Sequence, residues 1–143
     1  MNGSKLEIRD EGMATKFVRD VMNRSVVTCT PDTTVREAAR RMAEHGVNAL
    51  VVVEELSGEL EGIVTRSDLA RAYGQDYGTI KVETVMSQEV QTVVPHIPVS
   101  AAVLLMLDQK VDRLVIMHAK PGPSRPVGIL SLNDIVRDIA EEA

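Results

Sequence analysis

The sequence is poor in the groups that do chemistry. Its 143 residues include one cysteine (Cys29), three histidines, one phenylalanine, two tyrosines and no tryptophan. A lone cysteine excludes an internal disulfide and fits a reducing compartment. Lying in a β-branched stretch, Cys29 is expected as a small core side chain rather than a reactive thiol. His45, His96 and His118 are scattered, with neither ligand spacing nor a cysteine or acidic cluster beside them, so no metal site is expected. A Walker-type phosphate loop and a GxSxG elbow are both missing, and catalysis has no residue set to support it. The longest apolar run, Ala101 to Leu107, is far short of a membrane span, and no signal peptide opens the chain. Positive charge is also scarce: 16 Lys and Arg against 21 Asp and Glu give a net charge of -5. That argues against nucleic acid or an anionic membrane as partner. A soluble cytoplasmic protein is expected.

What is present is aliphatic. The 44% hydrophobic content is almost all Val, Ile, Leu, Met and Ala, enough for the core of one domain or two very small ones. Residues 1–14 are polar and mixed in charge, and read as a flexible lead. Thr15 to Met22 suggests a short helix, and Val26 to Thr30 a strand closed by Pro31-Asp32. Thr34 to Glu37 forms a capping box, followed by Val35, Ala38, Ala39 and Met42 at helical spacing up to Gly46. Ala49 to Val53 and Leu60 to Thr65 read as strands, and Ser67 to Tyr73 as a helix stopped by Gly74.

The same order then starts again. Met22 recurs as Met86, Thr28 as Thr92, Pro31 as Pro95, Val35 as Val99 and Leu50 as Leu114, each 64 positions on. The stretch Gly62-Ile63-Val64-Thr65-Arg66-Ser67-Asp68 recurs as Gly128-Ile129-Leu130-Ser131-Leu132-Asn133-Asp134, now 66 positions on. The two extra residues fall in the loop Pro121 to Pro126, where an insertion costs little. The chain is therefore read as a duplicated β-α-β-β-α unit: repeat 1 over 15–73, a linker over 74–81 and repeat 2 over 82–143.

This order, repeated at constant register, resembles the CBS domain, named for cystathionine β-synthase, and the pair resembles a Bateman module. The resemblance runs from about Val18 to the C-terminus. It implies an α/β (α+β) fold in which two pseudo-symmetric repeats pack through their sheets and leave two clefts between them. It also implies that the clefts bind an adenine nucleotide (AMP, ADP or ATP) or S-adenosylmethionine as a regulatory ligand, with no required cofactor. Carried over position by position, the first cleft combines Ile63, Thr65, Ser67 and Asp68 with Val90, Val111, Asp112 and Arg113. The second combines Ile129, Ser131, Asn133 and Asp134 with Val26, Val47, Asn48 and Ala49. No effector domain accompanies the repeats, so a signal is expected to pass to a separate, unknown effector protein or to arise through assembly.

The residues themselves leave two readings open. A hydroxyl followed three positions later by Asp starts a helix, so Thr65–Asp68 and Ser131–Asp134 could serve capping alone, in a structural dimerisation module with empty clefts. Alternatively the same carboxylates accept ribose hydroxyls, with phosphate near a helix start. Two asymmetries sharpen the picture. The second long helix replaces Glu37, Arg40 and Arg41 by Ala101, Leu104 and Leu105, so it is apolar beyond the stripe its own sheet needs and a homodimer is expected. Arg113 has Ala49 as its counterpart, so phosphate-bearing ligands are expected to prefer the first cleft.

Overall fold

The computed structural model describes residues 15–119, 121 and 125–142. The flexible-lead expectation for 1–14 lies outside the described residues, as does much of the Pro121 to Pro126 loop. The order of elements is α1 (Val18–Val21), β1 (Thr28–Cys29), α2 (Val35–His45), β2 (Ala49–Val53), β3 (Leu60–Thr65) and α3 (Arg66–Ala70). After a 3-10 turn at Val82–Thr84 come β4 (Thr92–Val93), α4 (Val99–Gln109), β5 (Arg113–Met117), β6 (Pro126–Ser131) and α5 (Leu132–Glu141). The fold is mixed α and β, as the duplicated pattern implies.

Each repeat builds one three-stranded sheet, ordered β1-β2-β3 and β4-β5-β6. The first strand of each is parallel to the second, which a helical crossover makes possible, and the second is antiparallel to the third. Register is the same in both: Thr28 faces Val51 as Thr92 faces Val115, and Ala49 faces Thr65 as Arg113 faces Ser131.

The long helices begin and end for local reasons. Thr34 caps α2 by accepting the Glu37 N–H at 3.2 Å, and Gly46 closes it at φ 63°. In α4 the cap is Pro98, without a side-chain bond, and the left-handed closing position holds Lys110 at φ 56°. Several elements are shorter than the sequence suggests. β1 keeps two residues of the expected five, and α3 stops at Ala70, well before Tyr73. Beyond Ala70 the chain tightens through bonds of Ala72 to Leu69 and Tyr73 to Ala70 and turns at Gly74, φ 85°.

The core is divided in a way the repeat boundaries do not suggest. Val18 and Met22, from the start of repeat 1, are buried with Ala102, Met106, Leu114, Ile116 and Leu130 of repeat 2. Conversely Val82, with Val85 and Met86 beside it, packs with Cys29, Ala38, Met42, Leu50, Val52 and Val64 of repeat 1. Each leading segment has thus crossed to the other repeat. Backbone bonds fix both crossings: Val18 N–H to Ile97 O at 2.9 Å, and Val82 N–H to Thr33 O at 2.8 Å. A third cluster, Ala49, Val51 and Ile63 with Val115 and Met117, lies between the two sheets and joins them. Cys29 is 1% exposed, and burial pushes its thiol pKa up to about 11, against smaller opposing effects of Arg41 and a Thr33 hydrogen bond. With so little thiolate at neutral pH it is inert core, as expected.

The crossings explain the glycine that opens the repeated stretch. Asn23 exchanges backbone bonds with Ile129 at 2.8 and 2.9 Å, and Ser87 does the same with Ile63 at 2.9 and 2.9 Å. Gly62 and Gly128 stand directly beneath these chains. A Cβ on Gly62 would lie 2.5 Å from the Ser87 carbonyl oxygen, and one on Gly128 would lie 2.8 Å from Met22 Sδ and 3.0 Å from the Asn23 oxygen. Overpacking of this kind costs about 1–3 kcal/mol. Gly62→Ala, which meets rigid backbone, should fall at the upper end, and Gly128→Ala, which first meets a flexible thioether, at the lower. Urea unfolding of both variants checks the order; equal stability to wild type would remove the close-crossing explanation.

Candidate functional site

The joint between the sheets leaves three connected depressions, and their walls follow from the repeat. In each half the long helix ends in a left-handed residue, and the residue that follows it is pinned: Val47 N–H bonds Met42 O, and Val111 N–H bonds Met106 O, both at 3.0 Å. The strand-to-helix turn is tied to the same place. Arg66 N–H donates to Asn48 O, and Leu132 N–H donates to Asp112 O, both at 2.9 Å. Residues 47–49 and 65–68 are therefore held side by side, as are 111–113 and 131–134.

The first cleft, about 590 Å³, is walled by Ile63 and Thr65 from repeat 1 and by Val90, Val111, Asp112 and Arg113 from repeat 2. Six of the eight residues expected there meet around it. The second, about 390 Å³, brings together Val47, Asn48, Ala49, Ile129, Ser131, Asn133 and Asp134. Val26 does not line it; Val27 does, while Val26 packs in the intersheet cluster. Between them a third depression of about 530 Å³ is walled by both turns, Thr65 to Ser67 and Ser131 to Asn133, together with Asn48, Asp112 and Arg113. Ser67 belongs to this central space. Asp68 lines none of the three, whereas its counterpart Asp134 lines the second.

Both repeated carboxylates make the same closed set of bonds. Asp68 Oδ2 accepts from the Thr65 N–H at 2.8 Å and the Thr65 hydroxyl at 3.0 Å, and the Asp68 N–H returns a bond to Thr65 Oγ1 at 3.3 Å. Asp134 does this with Ser131 at 2.8, 3.0 and 3.2 Å. The other oxygen of each pairs with an arginine one turn on, Arg71 at 2.8 Å and Arg137 at 3.0 Å. These two arginines escaped the sequence reading. Carrying the repeat three residues beyond Asp would have found them, since they keep the offset of 66. The carboxylates are 14% and 11% exposed and their arginines 73% and 63%, so the capping bonds are the firm ones and the ion pairs the weak ones.

The charge pattern differs from the expectation of a basic first cleft and a neutral second. Arg113 borders all three depressions, and Arg66 and Arg137 also border the second, whereas Lys110 joins the first. The reason is position: Arg113 opens β5 opposite Ser131, between the two strand-to-helix turns that wall the central depression. Its side chain is 16% exposed and held edge-on by neighbouring Asp112, with Nε at 3.3 Å from Oδ1 and Nη2 at 3.5 Å from Oδ2. Its Nη1 is buried with no partner among the described residues. A charged donor left unpaired in a buried place is costly, and an acceptor supplied there is correspondingly favourable. No group of three or more His, Cys, Asp or Glu among the described residues is placed to hold a metal. Likewise, no helix among them is long and apolar enough to cross a membrane.

Comparison with known proteins supplies the family. The model described as "CBS domain" matches twice, over residues 18–75 and 82–141. The CBS domain-containing protein YhcV of Bacillus subtilis is 36% identical over 121 residues, covering 82% of this chain and 81% of YhcV. Protein MK0525 of Methanopyrus kandleri is 34% identical over 128 residues, covering 87% of this chain but 63% of that longer protein. Among solved structures, the CBS domain pair of protein MJ0100, in complex with methylthioadenosine and S-adenosyl-L-methionine, superposes with a TM-score of 0.78 at 27% identity. That match covers 89% of this chain and 98% of the other.

The two carboxylates differ in what they hold up. Asp134 is buried and caps a helix of ten residues, while Asp68 caps one of five. Losing the cap set costs about 1–3 kcal/mol, scaled by burial and by the helix it starts. Asp134→Ala should therefore destabilise the chain more than Asp68→Ala in urea unfolding. The reverse order would mean that capping is not what these groups contribute.

Proposed function

The chain belongs to the CBS domain family, and from that premise we propose that it is a non-catalytic regulatory module. It binds an adenosine-containing ligand, AMP, ADP or ATP, in the clefts between its repeats and reports the nucleotide state to a separate effector protein. The functional units are the repeats over 15–73 and 82–143, joined by 74–81. The observation that carries this reading is the buried Arg113 Nη1, without a partner among the described residues, beside an aliphatic cleft of about 590 Å³. That combination suits a ligand with a flat apolar base and an anionic end, in a volume ordinary for small-molecule sites. Val90 and Val111 flank the base, and Arg113 meets the phosphate. Asp68 lies behind Thr65 and Ser67 rather than in a cleft wall, and turning its Oδ1 from the exposed partner Arg71 to the ribose hydroxyls costs little because that ion pair is weak. S-Adenosylmethionine is the second reading, favoured by the ligands of the MJ0100 domain pair; its carboxylate would take the place of phosphate at Arg113.

Calorimetric titration with AMP, ATP and S-adenosylmethionine tests the proposal. At least one should bind, and Asp68→Asn should weaken it by about tenfold to hundredfold, the value of a hydrogen bond to a charged acceptor. Arg71→Ala should bind at least as tightly as wild type. Failure of all three ligands to bind would favour a structural module with empty clefts.

Assembly is the second half of the proposal. Leu104 and Leu107 on α4 and Val136 and Ile139 on α5 are 55%, 60%, 64% and 69% exposed. Four large aliphatic residues exposed on two packed helices mark a contact surface, and a second copy of the chain is proposed to cover them. Sedimentation should give a dimer at micromolar concentration and a monomer for Leu104→Arg. A wild-type monomer, or a dimer indifferent to that substitution, would contradict it.

A further inference from the structure

Arg113 is a single guanidinium where the pseudo-symmetry has room for two. Its counterpart in the first sheet is Ala49: both residues open the second strand of their sheet, facing Thr65 in one case and Ser131 in the other. Arg113 nevertheless borders the first cleft, the second cleft and the central depression that joins them. The other cations around these spaces, Arg66, Lys110 and Arg137, are exposed, and Arg137 is already engaged by Asp134. A charge held in water is screened; one largely removed from water acts strongly on whatever reaches it. Arg113 is thus the one cation bordering all three spaces whose partly dry surroundings make it decisive for an anion. It carries a built-in competitor, since Asp112 occupies Nε and Nη2 and leaves only Nη1 without an acceptor.

From this geometry we infer that the two clefts share one anion-binding group, so that a phosphate bound from either side weakens phosphate binding from the other. The inference rests on the nucleotide reading above and adds its regulation. The first phosphate takes the free donor and displaces Asp112, which is 69% exposed and gives way into solvent. A second phosphate entering from the opposite cleft then finds the guanidinium occupied. It also finds a like charge across a central space of about 530 Å³ that both turns border. A ligand without phosphate feels neither effect. The chain would then hold one nucleotide tightly, while its other cleft accepts a nucleoside or a more weakly bound nucleotide.

The test is calorimetry on the full chain with three probes: AMP, adenosine and inorganic pyrophosphate. For wild type the expected result is AMP at two unequal sites, the second weaker by roughly 5- to 150-fold, the usual range of site-to-site coupling. Adenosine should show two comparable sites, and pyrophosphate one per chain. Asp112→Asn, at an exposed position, should tighten the first AMP by a larger factor than it changes adenosine binding. Arg113→Gln should abolish pyrophosphate binding and make the AMP sites as alike as the adenosine sites. Two equal AMP sites in wild type, or inequality that survives Arg113→Gln, would overturn the inference while leaving the nucleotide reading intact. Pyrophosphate bound once at Arg113 with no adenosine or AMP affinity would remove the nucleotide reading and support the shared anion group. Absence of binding by all three probes would overturn both.

Discussion

The structure depends on an exchange. Each repeat supplies the other with the segment that closes its core: Val18 and Met22 lie under α4 and β5, and Val82 and Met86 lie under α2 and β2. Neither half can bury its own apolar surface without that gift, so the two repeats form one cooperative unit although the sequence reads as two. The geometry of the exchange also fixes the joint. Asn23 runs against β6 and Ser87 against β3, and the backbone bonds there leave no room for a side chain on Gly62 or Gly128. The repeated stretch therefore begins with glycine because another segment of the chain crosses it, and ends with Asp because a helix starts there.

The clefts are a consequence of the same arrangement. Two sheets joined by Ala49, Val51, Ile63, Val115 and Met117 meet at their centres, and the strand-to-helix turns remain at the rim, facing the opposite repeat. Backbone bonds from Arg66 and Leu132 hold those turns against Asn48 and Asp112. Capping leaves part of each hydroxyl–Asp pair available for the proposed ligand. One oxygen of each carboxylate is committed to the cap, and the other is held only by a solvent-exposed arginine that can leave. Departures from symmetry then set the charge around the clefts: Arg113 against Ala49, and Lys110 in a left-handed position where repeat 1 has Gly46.

Much of this was legible in the sequence, for identifiable reasons. The constant offset of 64, then 66, requires two copies of one unit, and both caps appear as hydroxyl–x–x–Asp. Placement of the cleft residues followed from the same register, and most of them meet where the repeat puts them. What failed did so because it depends on contacts between distant segments. The crossing of the leading segments leaves no local signature; a Val-Met pair reads the same whichever repeat it covers. The slip from Val26 to Val27 arises ahead of β1, where Val26 packs into the cluster between the sheets and Val27 is left at the cleft. The reading of Arg113 as a property of one cleft assumes that a residue belongs to one side, whereas Arg113 borders both clefts and the space between them. The type and spacing of Asp68 suggest a cleft wall, but its carboxylate is fixed mainly by the capping bonds to Thr65 and lines none of the depressions.

The central claim is that the joint between the repeats is a nucleotide site organised by Arg113 and the repeated turns. A crystal structure of the chain grown with AMP tests it most directly. The account predicts the adenine between Val90 and Val111, the ribose against the turn of Thr65 to Asp68, and a phosphate oxygen within hydrogen-bonding distance of Arg113 Nη1. AMP seated away from the joint, or in it with its phosphate turned to solvent and Arg113 still held only by Asp112, would contradict it.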